Sequence, residues 1–227
     1  MDTGERAYEK IINYVEQQVM QGRYKKGDKL PPERELAALL GASRNSVREG
    51  LGILERMGAI ASQQGAGNFV SVNFEKTLIE VMTLMFILEE GTFREISEFR
   101  YALETQALSL AMEHITEEQL TDIEYYMTML EQTPEEEKKA YYDKKIHYTV
   151  TAASGNRFII DNLQALTEVM DVFIKDMRAK ILSDGSNSEG LMAAHRQMVE
   201  ALRERDEQKG LTALKVHFEY IYEYIDG

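Results

Sequence analysis

Apolar residues recur at helical spacing near the N-terminus, and glycine and proline interrupt the pattern. Residues 8–19 carry one apolar stripe, which consists of Ile11, Ile12, Val15 and Val19. A second helix is predicted over residues 33–40, because Pro32 suits its first turn and Gly41 suits its end. The residues predicted to face inward from this helix are Leu36, Leu39 and Leu40.

A third helix and a β-hairpin follow. Ser43 is a suitable N-cap for a helix over residues 45–57, whose apolar face consists of Val47, Leu51 and Leu54. After Gly58, the tight turn "QQGAGN" is flanked by the strand-like residues Ile60, Phe69, Val70 and Val72. Helices joined by a short turn and followed by a hairpin predict a winged helix-turn-helix domain over residues 1–72.

The remaining pattern predicts helices alone. Residues 73–91 form a linker and connecting helix with the most apolar run of the chain, "TLIEVMTLMFIL", which is too short to span a bilayer and which we expect to be buried. Later helices are predicted to begin at Thr92, at Thr116 with a capping box to Gln119, and at Thr133. A long helix over residues 157–180 precedes "SDGSNSEG", a predicted loop, and two final helices. The fold class is therefore mainly α, with an antiparallel all-α bundle over residues 92–227.

Charge divides the chain in the same way. Residues 1–72 carry 10 lysines and arginines against 9 acidic residues, whereas residues 73–227 carry 16 against 30. Only the first part can approach a polyanion without repulsion. The chain has no cysteine, its N-terminus lacks the apolar segment of a signal peptide, and no run is long enough to cross a membrane. We therefore expect a soluble, cytoplasmic protein.

Polar residues at the start of the third helix indicate DNA binding. In a helix-turn-helix the second helix enters the major groove by its N-terminal end, which would bring Arg44, Asn45 and Arg48 to base edges. Ser43 and Arg34 are placed to contact phosphates, and Gln64 in the glycine-rich turn is placed to reach the minor groove or the backbone. An isolated arginine pair would more simply be a solvated face, but the capped turn, the upstream arginine and the glycine turn together favour DNA.

The segment "GDKLPPERELAALLGASRNSVREGLGILERMGAI…GAGNFV" resembles the DNA-binding domain of the GntR superfamily of bacterial repressors over residues 8–72. The resemblance implies that DNA is contacted by Arg34, Arg44, Asn45, Arg48, Gln64 and Gly65. Asn45 stands where many relatives carry threonine, a difference that bears on the operator sequence.

Histidines on apolar faces suggest a metal site in the second domain. Asp143 and His147 are one helical turn apart, and His195 and His217 align with apolar residues of two later helices. One carboxylate and three imidazoles can bind a divalent metal ion with coordination positions left open. The alternative is that each imidazole is an ordinary core histidine with its own hydrogen-bond partner.

The segments "DKKIHYTVTAASGN", "AAHRQMVEAL" and "VHFEYI" resemble the FCD ligand-binding domain of the FadR-type branch of the same superfamily, over residues 92–225. The resemblance implies a divalent ion (Zn²⁺, Ni²⁺ or Mn²⁺) bound by Asp143, His147, His195 and His217, and it argues against an acyl-CoA ligand. It also implies that Arg100, on an inward stripe, lines the effector cavity; the alternative is an internal pair with Glu104.

These features predict a homodimeric regulator, most simply a repressor, that binds palindromic double-stranded operator DNA and responds to a small carboxylate effector. We expect no catalytic residue. One alternative is a metal-dependent hydrolase, although the chain has no His-Glu-x-x-His, Gly-x-Ser-x-Gly or phosphate-loop motif. A second is a regulator with a purely structural metal. A third is an architectural DNA-coating protein, for which the chain is too acidic.

Overall fold

The structure is a computed structural model of the chain. It describes residues 6–183 and 185–226, and the side chains of these except at positions 172–183, 185–188, 224 and 226. Two compact units are present, Met1–Leu78 and Ile79–Gly227. The described elements are α1 (Ala7–Met20), α2 (Glu33–Leu40), α3 (Arg44–Arg56), β1 (Ile60–Gln63), β2 (Gly67–Val70), α4 (Glu75–Leu88), α5 (Phe93–His114), α6 (Glu117–Gln132), α7 (Glu136–Ala153), α8 (Arg157–Ser183), α9 (Gly185–Glu204) and α10 (Glu207–Asp226).

The N-terminal unit is a three-helix domain with a β-hairpin. α1 packs against α3, and α2 packs beside them on a core that includes Ile11, Leu36, Val47 and Leu54. β1 and β2 are antiparallel, with Ile60 opposite Val70, and both of these side chains join the same core. The prediction of a winged helix-turn-helix is therefore confirmed in its elements.

The ends of α2 and α3 follow the predicted local chemistry. The Ser43 hydroxyl accepts a hydrogen bond from the backbone N–H of Ser46 at 3.1 Å, which satisfies one of the free donors at the start of α3. Gly41 ends α2 in the left-handed conformation that favours glycine. Leu39, predicted to face inward, is instead 61% exposed, because α2 contacts the core through Leu36, Ala37 and Leu40.

The C-terminal unit contains a helical bundle. α5 packs against α7, α8 and α10, and α6 packs against α7 and α9. α5 begins after Thr92 and α6 after Thr116, as the sequence predicted, and the predicted capping box of Thr116 with Gln119 is present. Thr92 forms a second capping box, with Glu95. The mainly α fold class is confirmed, and no helix in the described part of the chain is both long and apolar enough to cross a membrane.

Three predictions for residues beyond the N-terminal unit are wrong in detail. The predicted loop "SDGSNSEG" is largely helical, since α8 continues to Ser183 and α9 begins at Gly185. Thr133 caps the end of α6 and does not begin the next helix. The apolar run in α4 is mostly not buried. Met82 is buried, but Val81, Leu84 and Leu88 are exposed, because α4 has no closely packed partner helix in the described part of the chain.

The close approach of α1 and α3 at Gly50 generates a prediction about stability. A Cβ atom at this position would lie 2.9 Å from the Cβ of Ile11 and 2.9 Å from the carbonyl oxygen of Tyr8. We expect Gly50→Ala to lower the free energy of unfolding by about 1–3 kcal/mol, because the two helices must separate to admit the methyl group. Urea unfolding followed by circular dichroism measures this change.

Gly52 is the matched control on the same helix. Apart from its chain neighbours and the nearby backbone of its own helix, no atom lies within 4 Å of the position that its Cβ would occupy. Gly52→Ala should therefore raise the free energy of unfolding by about 0.5–1 kcal/mol, because alanine loses less backbone freedom on folding. Equal effects of the two substitutions would contradict the helix contact described here.

Candidate metal centre and nucleic-acid interface

The residues predicted to contact DNA lie on the surface of the N-terminal unit. They occupy the start of α2, the start of α3 and the hairpin turn, and all are exposed: Arg34, Ser43, Arg44, Asn45, Arg48, Gln64 and Gly65. Val47 and Leu51 hold the opposite side of α3 in the core. The geometry agrees with a recognition helix whose N-terminal end is free to enter a groove.

Arg48 is held by a neighbour that the sequence analysis did not identify. Its Nε–H donates to the Glu33 carboxylate, with Nε 2.9 Å from Oε2 and 3.2 Å from Oε1. This contact joins the start of α2 to α3 and leaves the terminal guanidinium nitrogens outside that hydrogen bond. In arginine generally, these nitrogens are donors that can bind guanine O6 and N7.

Three imidazoles meet inside the C-terminal unit. His147, His195 and His217 come from α7, α9 and α10, and their ring centroids are 4.6–5.3 Å apart. One ring nitrogen of each lies within 4.8 Å of the other two. Asp143, one turn before His147, places Oδ1 3.1 Å from His195 Nε2 and 3.8 Å from His147 Nε2. All four residues are no more than 5% exposed, so the predicted set is brought together inside the unit.

The hydrogen bonds of two rings determine their tautomers. His195 Nδ1 lies 3.0 Å from the Leu191 carbonyl oxygen, which can only accept, so this nitrogen carries the proton. His147 Nδ1 lies 2.7 Å from Glu104 Oε2. Burial lowers the pKa of His147 despite the nearby Glu104 carboxylate, so the ring is neutral with its single proton directed at Glu104. The neutral His147 ring therefore presents a lone pair on Nε2, which faces His195 Nε2 at 3.3 Å. Asp143 Oδ1 lies 3.1 Å from the same His195 nitrogen.

His217 has no hydrogen-bond partner within the described residues. Both of its ring nitrogens are buried, and neither meets a donor or acceptor. Burial, reinforced by the other two imidazoles, places the pKa of His217 well below its ordinary value, so the ring is neutral. A buried polar group without a partner is unfavourable, which points to a binding partner outside the chain.

Arg100 and Glu104 form a buried ion pair on α5. The guanidinium Nε–H donates to the Glu104 carboxylate, the alternative that the sequence analysis left open for Arg100. Burial by itself raises the pKa of Glu104, but the charge of Arg100 and the contact with His147 outweigh it and lower that pKa to about 2. Glu104 is thus an ionised acceptor shared by Arg100 and His147.

A cavity of about 170 Å³ reaches His195 from between α6, α7 and α9. Apolar residues on its wall include Leu130 and Met192, and two cationic side chains, Lys139 and Arg196, also line it. Lys139 pairs with Glu136, and Arg196 pairs with Glu131. The cavity therefore places polar groups that can orient a small ligand beside His195, one member of the imidazole cluster.

Two family profiles match the chain. The profile described as "Bacterial regulatory proteins, gntR family" matches residues 7–70, and the FCD domain profile matches residues 95–220, more than half of the chain. The chain belongs to the GntR family. This GntR-family protein is a DNA-binding transcriptional regulator whose C-terminal unit is an FCD domain.

Individual relatives agree with this assignment. The putative L-lactate dehydrogenase operon regulatory protein of Escherichia coli (strain K12) is 25% identical over 201 residues, 86% of this chain and 77% of that protein. The HTH-type transcriptional repressor NanR of Salmonella newport (strain SL254) is 26% identical over 213 residues, 92% of this chain and 81% of that protein.

Solved structures share the fold of the GntR-family regulator. Streptococcus agalactiae GntR aligns with a TM-score of 0.64 at 22% identity, covering 95% of this chain and 99% of that one. E. coli McbR/YncC aligns with a TM-score of 0.50 at 19% identity, covering 97% of this chain and 98% of that one.

The residues of the regulator's imidazole cluster fit a divalent metal ion. Neighbouring ligands around Zn²⁺, at bond lengths of about 2.0–2.2 Å, are separated by about 3–3.5 Å. The separations of 3.1, 3.3 and 3.8 Å among Asp143 Oδ1, His147 Nε2 and His195 Nε2 are close to this range. Imidazole nitrogens and a carboxylate oxygen at these separations can be ligands of one cation.

The contact between His147 and Glu104 was missed by sequence reasoning. The two residues are 43 positions apart, so no helical spacing relates them. The available signal was the i,i+4 pair of Arg100 and Glu104 on the inward stripe of α5, which showed that an acidic side chain accompanies the buried arginine.

The lack of hydrogen-bond partners for His217 in the described chain generates a prediction about stability with and without a bound metal ion. Without added metal, His217→Leu should leave the free energy of unfolding unchanged or raise it by about 1 kcal/mol, because it removes unsatisfied buried nitrogens. With Zn²⁺ at about 100 times its dissociation constant, the wild type should gain about 2.7 kcal/mol and the variant much less. Thermal unfolding with and without Zn²⁺ measures both effects.

His114, which is exposed, serves as the control. His114→Gln should respond to Zn²⁺ as the wild type does. A wild-type response to Zn²⁺ in the His217→Leu variant would show that His217 is not a ligand.

Proposed function

We propose that this protein is a homodimeric repressor that senses a small organic acid through a divalent metal ion held by Asp143, His147, His195 and His217. The observation that carries the proposal is the meeting of possible ligand atoms in the core. The Nε2 atoms of two imidazoles and a carboxylate oxygen converge, and the third imidazole has no hydrogen-bond partner in the described chain. Nitrogen and oxygen ligands of this kind suit Zn²⁺, Ni²⁺ or Mn²⁺.

A bound ion would supply coordination positions for a carboxylate of the effector. The cavity beside His195 supports a small ligand, since its volume is about 170 Å³. Lys139 and Arg196 can form charge-assisted hydrogen bonds with further anionic or polar groups. Arg100 stays a candidate effector contact, although its guanidinium already pairs with Glu104.

The DNA-binding part of the proposal rests on the exposed surface of the winged helix. Arg44, Asn45 and Arg48 would read bases, and Arg34, Ser43 and the Gln64–Gly65 turn would contact the backbone. One such domain reads few base pairs, so two-fold related copies on palindromic double-stranded DNA would multiply the specificity. One relative is named a transcriptional repressor, which supports repression by this protein as well. Because its target is the bacterial chromosome, we place the protein in the cytoplasm and assign it no enzymatic activity.

Ligand control requires that the effector distinguish two arrangements of the dimer. A ligand shifts DNA affinity only as far as it binds one arrangement more tightly than the other. By joining residues of α7, α9 and α10, a ligand-bearing metal centre would tie three helices together. If the metal were purely structural, effector binding would not depend on it.

The first prediction from this proposal concerns base readout. Arg48→Ala should weaken binding to the specific operator by about 1–3 kcal/mol and binding to random DNA much less, because a base contact is lost. Arg34→Ala should weaken both by similar amounts if it contacts phosphate. Fluorescence anisotropy titrations with the two DNAs measure these changes.

Arg56 is the control for Arg48, since it lies on the same helix and is exposed in its last turn. Arg56→Ala should change neither affinity appreciably. Unchanged operator affinity in Arg48→Ala would show that the recognition helix is assigned incorrectly.

The second prediction concerns the coupling between effector binding and DNA affinity. A thermal-shift screen of small carboxylates on metal-loaded protein first identifies an effector. His195→Ala should then weaken effector binding and abolish its influence on DNA affinity, while operator affinity without effector stays as in the wild type. Operator titrations with and without effector measure this. A full effector response in the variant would mean that the metal serves structure alone.

A further inference from the structure

We propose that Glu104 is a positioning residue of the metal centre, which selects the nitrogen of His147 that faces the ion. This role rests on the metal centre proposed above. Glu104 lies on α5, a helix that contributes none of the four proposed ligands. Its carboxylate oxygen Oε2 accepts the hydrogen bond from His147 Nδ1 at 2.7 Å, inside the bundle core.

The position of the proton on His147 decides whether the ring can bind a metal ion. A neutral imidazole has one protonated nitrogen and one lone pair, and only the lone pair coordinates. A carboxylate on Nδ1 keeps the proton there, and Nε2 then faces Asp143 and His195 as an acceptor. The same hydrogen bond makes the imidazole a more basic ligand and prevents the ring from turning over.

Arg100 holds the Glu104 carboxylate in place. It pairs with the other carboxylate oxygen, Oε1, so that the two oxygens have separate partners. The guanidinium carbon also lies 5.5 Å from the ring centroid of Phe218, which adjoins His217 on α10. Arg100 is therefore placed by α5 and α10 to hold Glu104, and through Glu104 it acts on His147.

His195 provides an internal comparison. Its Nδ1 proton goes to the Leu191 carbonyl oxygen on its own helix, four residues earlier. That contact is local to α9 and does not involve Glu104. Loss of the Glu104 carboxylate should consequently change the tautomer of His147 and leave that of His195 unchanged.

The first experiment measures Zn²⁺ affinity by competition with a chelator. Glu104→Gln keeps the shape of the side chain but loses the charge, and it can offer an amide N–H that favours the wrong tautomer. We expect its dissociation constant for Zn²⁺ to rise by about 10–100-fold, the usual effect of losing such a partner. The matched control is Glu98→Gln, which removes an exposed carboxylate paired with Arg94 at the same i,i+4 spacing on the same helix. It should bind Zn²⁺ as the wild type does.

The second experiment reads the tautomers directly, by ¹⁵N–¹H correlation of histidine side chains in metal-free protein. In the wild type, His147 and His195 should both be protonated on Nδ1. In Glu104→Gln, His147 should lose this preference and His195 should keep it. A purely structural role of Glu104 would leave the His147 tautomer as it is, and the wild-type spectrum tests the inference even if a variant folds poorly.

Two results would overturn the assignment of Glu104. One is a wild-type His147 protonated on Nε2, and the other is a Zn²⁺ affinity of folded Glu104→Gln within about twofold of the wild type, well below the 10–100-fold loss expected. A wild-type protein that binds no Zn²⁺, Ni²⁺ or Mn²⁺ would remove the proposed centre and the role of Glu104 with it. If the wild type and Glu104→Gln bind Zn²⁺ equally well, only the role of Glu104 is removed and the proposed centre stands.

Discussion

The C-terminal bundle encloses polar atoms that its own described side chains do not fully satisfy. Both nitrogens of His217 lack a partner in the described chain, and they lie beside two further imidazoles and the Asp143 carboxylate. Buried polar groups are normally paired, because water is no longer available to them. The same constraint explains why the imidazoles come from three different helices: a central ligand can satisfy all of them and hold those helices together.

The surroundings of this cluster prepare it for a cation. Burial lowers the pKa of His147 and of His217, which keeps both rings neutral and able to coordinate. The ion pair of Arg100 with Glu104 places an ionised acceptor behind His147. The N-terminal unit has the opposite organisation, with its candidate DNA-contacting side chains in water and its apolar residues in a separate core. The candidate metal centre is thus buried, whereas the candidate DNA-binding surface is exposed.

Local sequence rules predicted much of this structure. Ser43, Thr92 and Thr116 cap the helices that follow them, because an N-cap depends only on residues within one turn. The inward faces of the helices bearing His147, His195 and His217 followed from helical periodicity for the same reason. Periodicity was insufficient for α4, whose apolar residues are exposed, since it describes one helix and not what packs against it.

The sequence by itself determined the winged helix, the helical bundle and the four residues of the candidate centre, because caps, periodicity and motif spacing act over a few neighbouring positions. Only the tertiary structure decided that Arg48 pairs with Glu33 and that His147 pairs with Glu104, contacts that span 15 and 43 positions. Such pairs depend on how whole helices pack. The direction in which each imidazole offers its lone pair was decided in the same way, by the acceptor that packing brings to its other nitrogen.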